Sequence, residues 1–118
     1  KPKFQVKRWE SLSDGVCDAA VAVMLENRRP EKLRDPAWIV KQMTKVGRGL
    51  QLLNDDLADS EFCVADRFSL ADIALGCLLG YLNLRFADLD IAKNYPNLNR
   101  HYHVMMARVS FQETAPPV

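Results

Sequence analysis

The sequence predicts an all-α fold in which several helices pack as a bundle around one central, buried helix. Apolar residues recur at helical spacing along most of the 118-residue chain, and no segment alternates with period two for long enough to form a sheet. The stretch RFSLADIALGCLLGYL, from Arg67 to Leu82, is apolar almost throughout after its serine and aspartate. A helix of this composition is expected at the centre of a helical bundle.

The first predicted helix runs from about Val6 to Asn27. The Arg29-Pro30 step ends it, because proline disfavours helical geometry in the residue that precedes it. An apolar stripe at helical spacing predicts the face that this helix buries. The stripe consists of Trp9, Leu12, Val16, Ala19 and Val23.

The second predicted helix runs from Asp35-Pro36 to about Ala58, with the aspartate as N-cap and the proline in the first turn. Gly47 and Gly49 lie inside it, where each glycine costs about 1 kcal/mol relative to alanine, and close approach of a neighbour would explain them. The regular apolar stripe of this helix predicts lengthwise packing on a partner. The stripe consists of Ile39, Met43, Val46, Leu50, Leu53 and Leu57.

The third predicted helix covers Phe68 to Leu82 and begins with a capping box. The Ser69 oxygen accepts a hydrogen bond from a backbone N–H one turn in, and the Asp72 carboxylate accepts one from the N–H of Ser69. Phe68 and Ile73 match the hydrophobic staple that flanks such a box. Because a helix without a polar face has no water at its first N–H groups, the cap has a structural role.

A short fourth helix is predicted near Ile91 to Asn94, and a final helix starts at Tyr95-Pro96. The last segment, QETAPPV, is predicted to be non-helical because of its prolines. The predicted inner face of the final helix consists of Leu98, Tyr102, Met105 and Val109.

Composition argues against several classes of function. Apolar residues make up 48% of the chain, charged residues 26%, and the formal net charge is +1, so we expect a soluble globular domain with no nucleic-acid partner. The longest apolar run, Ile73 to Leu82, is shorter than the roughly 20 residues of a membrane span. The three cysteines form no CxxC motif, which favours reduced thiols in a cytoplasmic setting, with Cys63 the most exposed.

The sequence predicts no catalytic or metal-binding residue. Asp72 has no second titratable group beside it along the chain, so general acid–base chemistry is not expected there. His101 and His103 are two positions apart on a predicted helix and therefore point to nearly opposite sides, which does not suit a metal site.

The capping box and staple, opening the central helix of an all-helical domain, resemble the C-terminal domain of glutathione transferases, and of the bacterial members in particular. FCVADRFSLADIALGCLLGYLNLRF resembles that family's core segment, YPNLNRHYHVMMARVSF its final helix, and DGVCDAA its first helix. The resemblance extends from about Trp9 to Pro117. The family often has glycine, tryptophan and proline at the positions of Ala65, His101 and Val109.

The resemblance implies that residues 1–118 form one helical domain, and that the thioredoxin-like domain that activates the glutathione thiol is absent from this chain. It implies glutathione as co-substrate of the intact protein, a hydrophobic electrophile as second substrate, and a homodimer. No cofactor is expected on this chain alone. The helical domain would contribute a wall of the electrophile pocket and the dimer interface. The alternatives are a non-catalytic docking domain, as in translation factors, or a free-standing module.

Three residues receive binding roles from the resemblance. Asp14, Gly15 and Asp18 match the motif DGxxD, and Asp18 takes the place of the acid that reaches across the dimer to the γ-glutamyl ammonium group of glutathione. An exposed charge on a helix surface is the alternative for Asp18. Met24 and Arg28, one turn apart, would face the second-substrate pocket, and ordinary core packing is the alternative for Met24.

Overall fold

The fold consists of five α-helices and two 3₁₀ turns in a computed structural model that describes residues 2–108. No β-strand occurs among these residues, which confirms the all-α prediction. The α-helices are α1 (Pro2–Asn27), α2 (Pro36–Leu57), α3 (Leu70–Arg85), α4 (Ile91–Asn94) and α5 (Pro96–Met106), and the 3₁₀ turns are Glu31–Leu33 and Ala87–Leu89. Val109 and the segment QETAPPV lie outside the described residues.

Two helices extend beyond their predicted bounds. α1 begins at Pro2 rather than Val6, because proline fits the first turn of a helix and the residues that follow do not oppose helix formation. α3 begins at Leu70, directly after its N-cap Ser69, and continues to Arg85, three residues beyond the predicted end.

The predicted apolar stripes form much of the core between α1 and α2. All members of the α1 stripe are buried except Leu12, which is half-buried. The last four members of the α2 stripe are buried, while Ile39 and Met43 are half-buried. As predicted, Asp35 caps α2, and its carboxylate accepts a hydrogen bond from the N–H of Trp38 at 3.1 Å.

Of the two glycines inside α2, only Gly49 lies at a close approach to α1. A Cβ atom on Gly49 would overlap Cγ2 of Val16, so an alanine there would force the helices apart. A Cβ atom on Gly47 would meet only the hydroxyl of Tyr95 at 3.8 Å, an ordinary contact distance. Close packing therefore explains Gly49 and does not explain Gly47.

α3 packs against α1 and α5, but part of its apolar surface is left open within residues 2–108. Ile73 is 39% exposed and Leu84 41%, and Leu70 and Cys77 are exposed along the same helix. The prediction of a central, largely buried helix is confirmed, but hydrophobicity alone does not show whether residues 2–108 supply a neighbour for each of its faces. The buried apolar side chains of α3 are Ala71, Leu75, Leu78, Leu79 and Leu82.

The start of α5 is held to α2 by the buried side chain of Asn54. Tyr95, the N-cap of α5, makes no side-chain capping bond. Instead, Asn54 Oδ1 accepts hydrogen bonds from the backbone N–H groups of Asn97 at 2.9 Å and Leu98 at 3.1 Å. The inner face of α5 agrees with the prediction in its described part, which comprises Leu98, Tyr102 and Met105.

Among residues 2–108, no single helix has both the length and the apolar character needed to cross a membrane. The segments Leu70–Arg85 and Ala87–Asn94 reach that length and composition only as a pair, and they are bent by 103° relative to each other.

Candidate functional site

The predicted binding residues lie on α1, which runs beside α3. The two helices are parallel, because Val6 and Ser69 line one cavity near their N-terminal ends and Met24 contacts Tyr81 near their C-terminal ends. The name α1–α3 surface is used below for the partly open face of this pair. Its residues are Cys17, Met24, Arg28, Cys77, Tyr81 and Arg85.

Met24 and Tyr81 join the two helices at the centre of the α1–α3 surface. The Tyr81 hydroxyl donates a hydrogen bond to Met24 Sδ at 3.1 Å, and both side chains are half-buried against the core. Met24 therefore fills core space and borders the open surface at the same time. In the sequence, Tyr81 is one residue of an apolar run. Its hydroxyl within such a run is a signal of a polar contact, which the sequence-based prediction did not use.

The three residues with predicted binding roles do not all share one face of α1. Met24 and Arg28 are four positions apart and lie on one side, with Arg28 exposed just beyond the end of the helix. Asp18 is exposed and lies about 120° around the helix from Met24, given about 100° per residue. The structure thus brings Met24 and Arg28 together with Tyr81, and it places Asp18 on the flank.

The positive charges of the α1–α3 surface lie at one end of it, beyond Tyr81. Burial raises the pKa of the Tyr81 hydroxyl and the nearby Cys17 adds to this, while the positive charges of Arg85 and Arg28 offset part of the effect. Tyr81 therefore remains a protonated hydrogen-bond donor at neutral pH. Asp18, on the flank of α1, lies ten residues before Arg28, about 15 Å away along the helix axis.

Cys17, one of the two cysteines on this surface, is not an activated nucleophile. Burial raises the pKa of the Cys17 thiol, and the carboxylates of Asp18 and Asp14 raise it further. Because the thiolate is the reactive form, the raised pKa disfavours Cys17 as a nucleophile at neutral pH.

The predicted capping box is present at the start of α3. Asp72 Oδ2 accepts a hydrogen bond from the N–H of Ser69 at 2.9 Å, and Ser69 Oγ accepts one from the N–H of Ala71 at 3.2 Å. Phe68 is half-buried, and its ring lies 4.4 Å from the guanidinium carbon of Arg108. The staple between Phe68 and Ile73 stays a prediction.

A buried cluster of three titratable residues surrounds the same aspartate. His101 Nε2 lies 2.8 Å from Asp72 Oδ1 and 3.8 Å from Cys63 Sγ, and the N–H of Cys63 donates to Asp72 Oδ1 at 2.9 Å. Along the chain no second titratable group stands beside Asp72, but the fold brings two such groups to it from distant positions. His101 follows Asp72 by 29 positions, and no local spacing pattern relates two residues so far apart. His101 is buried and His103 exposed, as their opposite directions predicted.

The geometry of this cluster supports an anchor rather than a catalytic relay. Cys63 and Asp72 both face Nε2 of His101, whereas a relay needs one partner on each ring nitrogen, and Nδ1 has no partner in the described part of the chain. Burial and the negative charge of Asp72 raise the pKa of the Cys63 thiol. Cys77, not Cys63, is the exposed cysteine, which corrects the prediction.

The same three side chains are of types that bind metal ions, and one ligand atom from each lies within 4.8 Å of the others. Both oxygens of Asp72 already accept backbone hydrogen bonds, from Cys63 and Ser69. These bonds fix the loop before α3 and the first turn of α3. We therefore assign the cluster a structural role.

Comparisons with known proteins agree with the all-α fold and with the resemblance to glutathione transferases. The family model for the glutathione S-transferase C-terminal domain matches residues 36–103. A glutathione S-transferase from Methylobacillus flagellatus KT, solved with glutathione bound, is 56% identical, with a TM-score of 0.95 over 98% of this chain and 57% of its own. The GST-like protein YibF of Escherichia coli K12 is 32% identical over 97% of this chain and 56% of its own length.

A third relative belongs to a different functional class. Elongation factor 1-gamma 3 of Oryza sativa subsp. japonica is 25% identical over 96% of this chain and 29% of its own length. This chain therefore spans little more than half the length of the transferase relatives and less than a third of the elongation factor.

Proposed function

Because this chain belongs to the glutathione S-transferase family, we propose that it is the helical domain of an enzyme that conjugates or reduces small electrophiles with glutathione. In this proposal residues 1–118 form one domain, and a thioredoxin-like domain of the same protein holds glutathione and activates its thiol. The helical domain contributes a wall of the electrophile pocket and part of a homodimer interface. The enzyme is cytoplasmic.

The observation that carries this proposal is the similarity, along 98% of this chain, to a transferase solved with glutathione bound. The α1–α3 surface supports it chemically. Met24 offers a flexible and polarizable apolar wall, which suits hydrophobic electrophiles of varied shape. The raised pKa values of Cys17 and Cys63 do not favour either thiol as the group that activates glutathione.

Asp18 is the residue of this chain that we propose to bind glutathione. It is exposed, and among residues 2–108 no side chain forms a hydrogen bond or an ion pair with it. A free carboxylate of this kind suits the ammonium group of the γ-glutamyl moiety, the cationic group of the tripeptide. In the homodimer, Asp18 would reach the glutathione held by the partner subunit.

Calorimetric titration of the intact protein with glutathione tests the assignment of Asp18. Asp18→Asn removes one charge-assisted hydrogen bond at a partly solvated site and keeps the shape, so we expect affinity to fall by about 3- to 30-fold. Asp14→Asn is the matched control, because Asp14 is an exposed aspartate of the same helix. Equal affinity in wild type and Asp18→Asn would leave Asp18 as a surface charge.

Enzyme assays test the proposed reaction. The intact protein should accelerate conjugation of glutathione to an aryl chloride, and residues 1–118 alone should not, because we propose that the thioredoxin-like domain activates the thiol. Turnover by the isolated chain that is lost in Cys17→Ser would contradict this division of roles.

A docking domain without catalysis is the second candidate, and the similarity to elongation factor 1-gamma 3 favours it. The two candidates differ in whether the protein binds glutathione resin. An enzyme should be retained on glutathione resin and eluted with free glutathione. A docking domain should pass through the resin, and it should co-purify with a stoichiometric protein partner.

A further inference from the structure

Two arginines lie together at the C-terminal ends of α1 and α3. Arg28 follows Met24 by four positions, and Arg85 follows Tyr81 by four. Each arginine therefore lies about one helical turn beyond Met24 or Tyr81, on the same side of α1 or α3. The Tyr81–Met24 hydrogen bond at 3.1 Å joins the two pairs. These four residues are named the arginine end of the α1–α3 surface.

The guanidinium groups of Arg28 and Arg85 have no hydrogen-bond acceptor within residues 2–108. Neither Arg28 nor Arg85 forms a side-chain hydrogen bond or an ion pair with a described residue. In contrast, Arg8 pairs with Asp56 at 2.7 Å, and Arg29 pairs with Glu26 at 3.0 Å. The Tyr81–Met24 hydrogen bond brings the two helices together one turn before both arginines, which places the two positive charges at the same end of the surface.

Tyr81 adds a third donor to this point. Its hydroxyl is bonded to a thioether sulfur, which is a weak acceptor, so an oxyanion would be a better partner. Arginine binds carboxylates with two parallel hydrogen bonds, and hydrogen bonds to a charged acceptor are stronger than neutral ones. Beside these donors, half-buried Met24 offers apolar contact to the rest of a ligand.

We propose that the electrophile taken by this domain is an apolar compound that carries a carboxylate, which Arg28, Arg85 and Tyr81 bind at the arginine end. The inference rests on the proposed transferase function and specifies its second substrate. With an aryl chloride, the glutathione sulfur forms a bond to the ring carbon, chloride leaves with the bonding electrons, and the thiol proton passes to solvent. The arginine end takes no part in bond breaking and only positions the substrate.

A pair of substrates that differ in one carboxylate tests this inference in the intact protein. Chlorodinitrobenzene is neutral, and chlorodinitrobenzoate has the same leaving group and an added carboxylate. The measured quantity is kcat/KM for the benzoate divided by kcat/KM for the neutral compound, because this ratio cancels losses that affect both substrates. We expect Arg28→Gln and Arg85→Gln each to lower the ratio by about tenfold, and Tyr81→Phe to lower it by about threefold.

Arg48→Gln is the matched control, because Arg48 is an exposed arginine of α2 without a described ion-pair partner. It should leave the ratio unchanged. Turnover of both compounds with a ratio that none of the arginine-end variants alters would overturn the inference and leave the proposed function standing. Absence of turnover with both compounds would overturn the conjugation reaction on which the inference rests, and the inference with it. A ratio that falls in Arg48→Gln as strongly as in Arg28→Gln would show a general charge effect and would also overturn the inference.

Discussion

Asp72 Oδ1 and His101 Nε2 lie 2.8 Å apart, and both side chains are fully buried. This contact connects the first turn of α3 to the middle of α5. Asp72 Oδ1 is an acceptor in this contact, so Nε2 of His101 carries the shared proton, while Nδ1 is buried without a partner among residues 2–108. His101 thus acts as a hydrogen-bond donor to the capping carboxylate.

Replacing Asp72 should cost more than the loss of a helix cap. Asp72→Ala removes the acceptor for the N–H groups of Ser69 and Cys63 and for Nε2 of His101. A lost cap costs about 1 kcal/mol, and a buried donor left unsatisfied costs about 1–3 kcal/mol. We expect the free energy of unfolding, measured by urea denaturation, to fall by about 2–4 kcal/mol. Asp59→Ala, at an exposed position, is the control, and an equal loss in both would contradict the anchor role.

The same carboxylate should make stability depend on pH in acid. Burial alone would raise the pKa of Asp72, but hydrogen bonds from His101 and from the N–H groups of Cys63 and Ser69 outweigh burial and hold the pKa below its usual value. A lowered folded-state pKa contributes stability that is present above the unfolded pKa of about 4 and is lost as pH falls through the folded pKa.

We therefore expect the wild-type free energy of unfolding to decrease more steeply below about pH 4 than that of Asp72→Asn. Urea titrations between about pH 3 and pH 7 measure the difference. Glu26 also has a lowered pKa, because it accepts hydrogen bonds from the N–H of Asp35 and from Arg29. The comparison is best made in a Glu26→Gln background. Parallel pH profiles for wild type and Asp72→Asn would show that Asp72 is not the responsible group.

The two glycines of α2 should respond in opposite directions to the same substitution. Gly49→Ala places a methyl group against Val16, and overpacking of this kind costs about 1–3 kcal/mol. Gly47→Ala meets no close atom and should stabilise the helix by up to about 1 kcal/mol. Thermal unfolding of both variants measures the effects, and Val16→Ala should relieve part of the cost at Gly49. Equal shifts at the two positions would contradict the close packing of α1 and α2.

Replacing Ala65 with glycine should stabilise the protein. Its φ of 54° lies in the left-handed region, where a Cβ atom costs about 1–2 kcal/mol. Ala65→Gly should therefore raise the free energy of unfolding by about 1 kcal/mol, less the entropy that glycine gains in the unfolded chain. Ala22→Gly, within α1, is the control and should lower it by about 1 kcal/mol. Destabilisation by both substitutions would show that residue 65 is not strained.

The sequence by itself determined what depends on neighbours along the chain. The capping box of Ser69 and Asp72, the N-cap Asp35 and the apolar stripes of α1 and α2 follow from spacings of three and four residues, because helical geometry places such residues side by side. For the same reason the all-α fold and the short helix Ile91–Asn94 could be predicted. The positions of Met24 and Arg28 on one side of α1 follow from one turn of helix.

Only the tertiary structure decided contacts between residues far apart in sequence. The Cys63–Asp72–His101 cluster, the Asn54 cap of α5 and the Tyr81–Met24 bond each join different elements, and no spacing rule relates their members. The open face of α3 also depends on contacts between different elements. An apolar composition records that a face avoids water, but the packing of the other helices decides which face is left open.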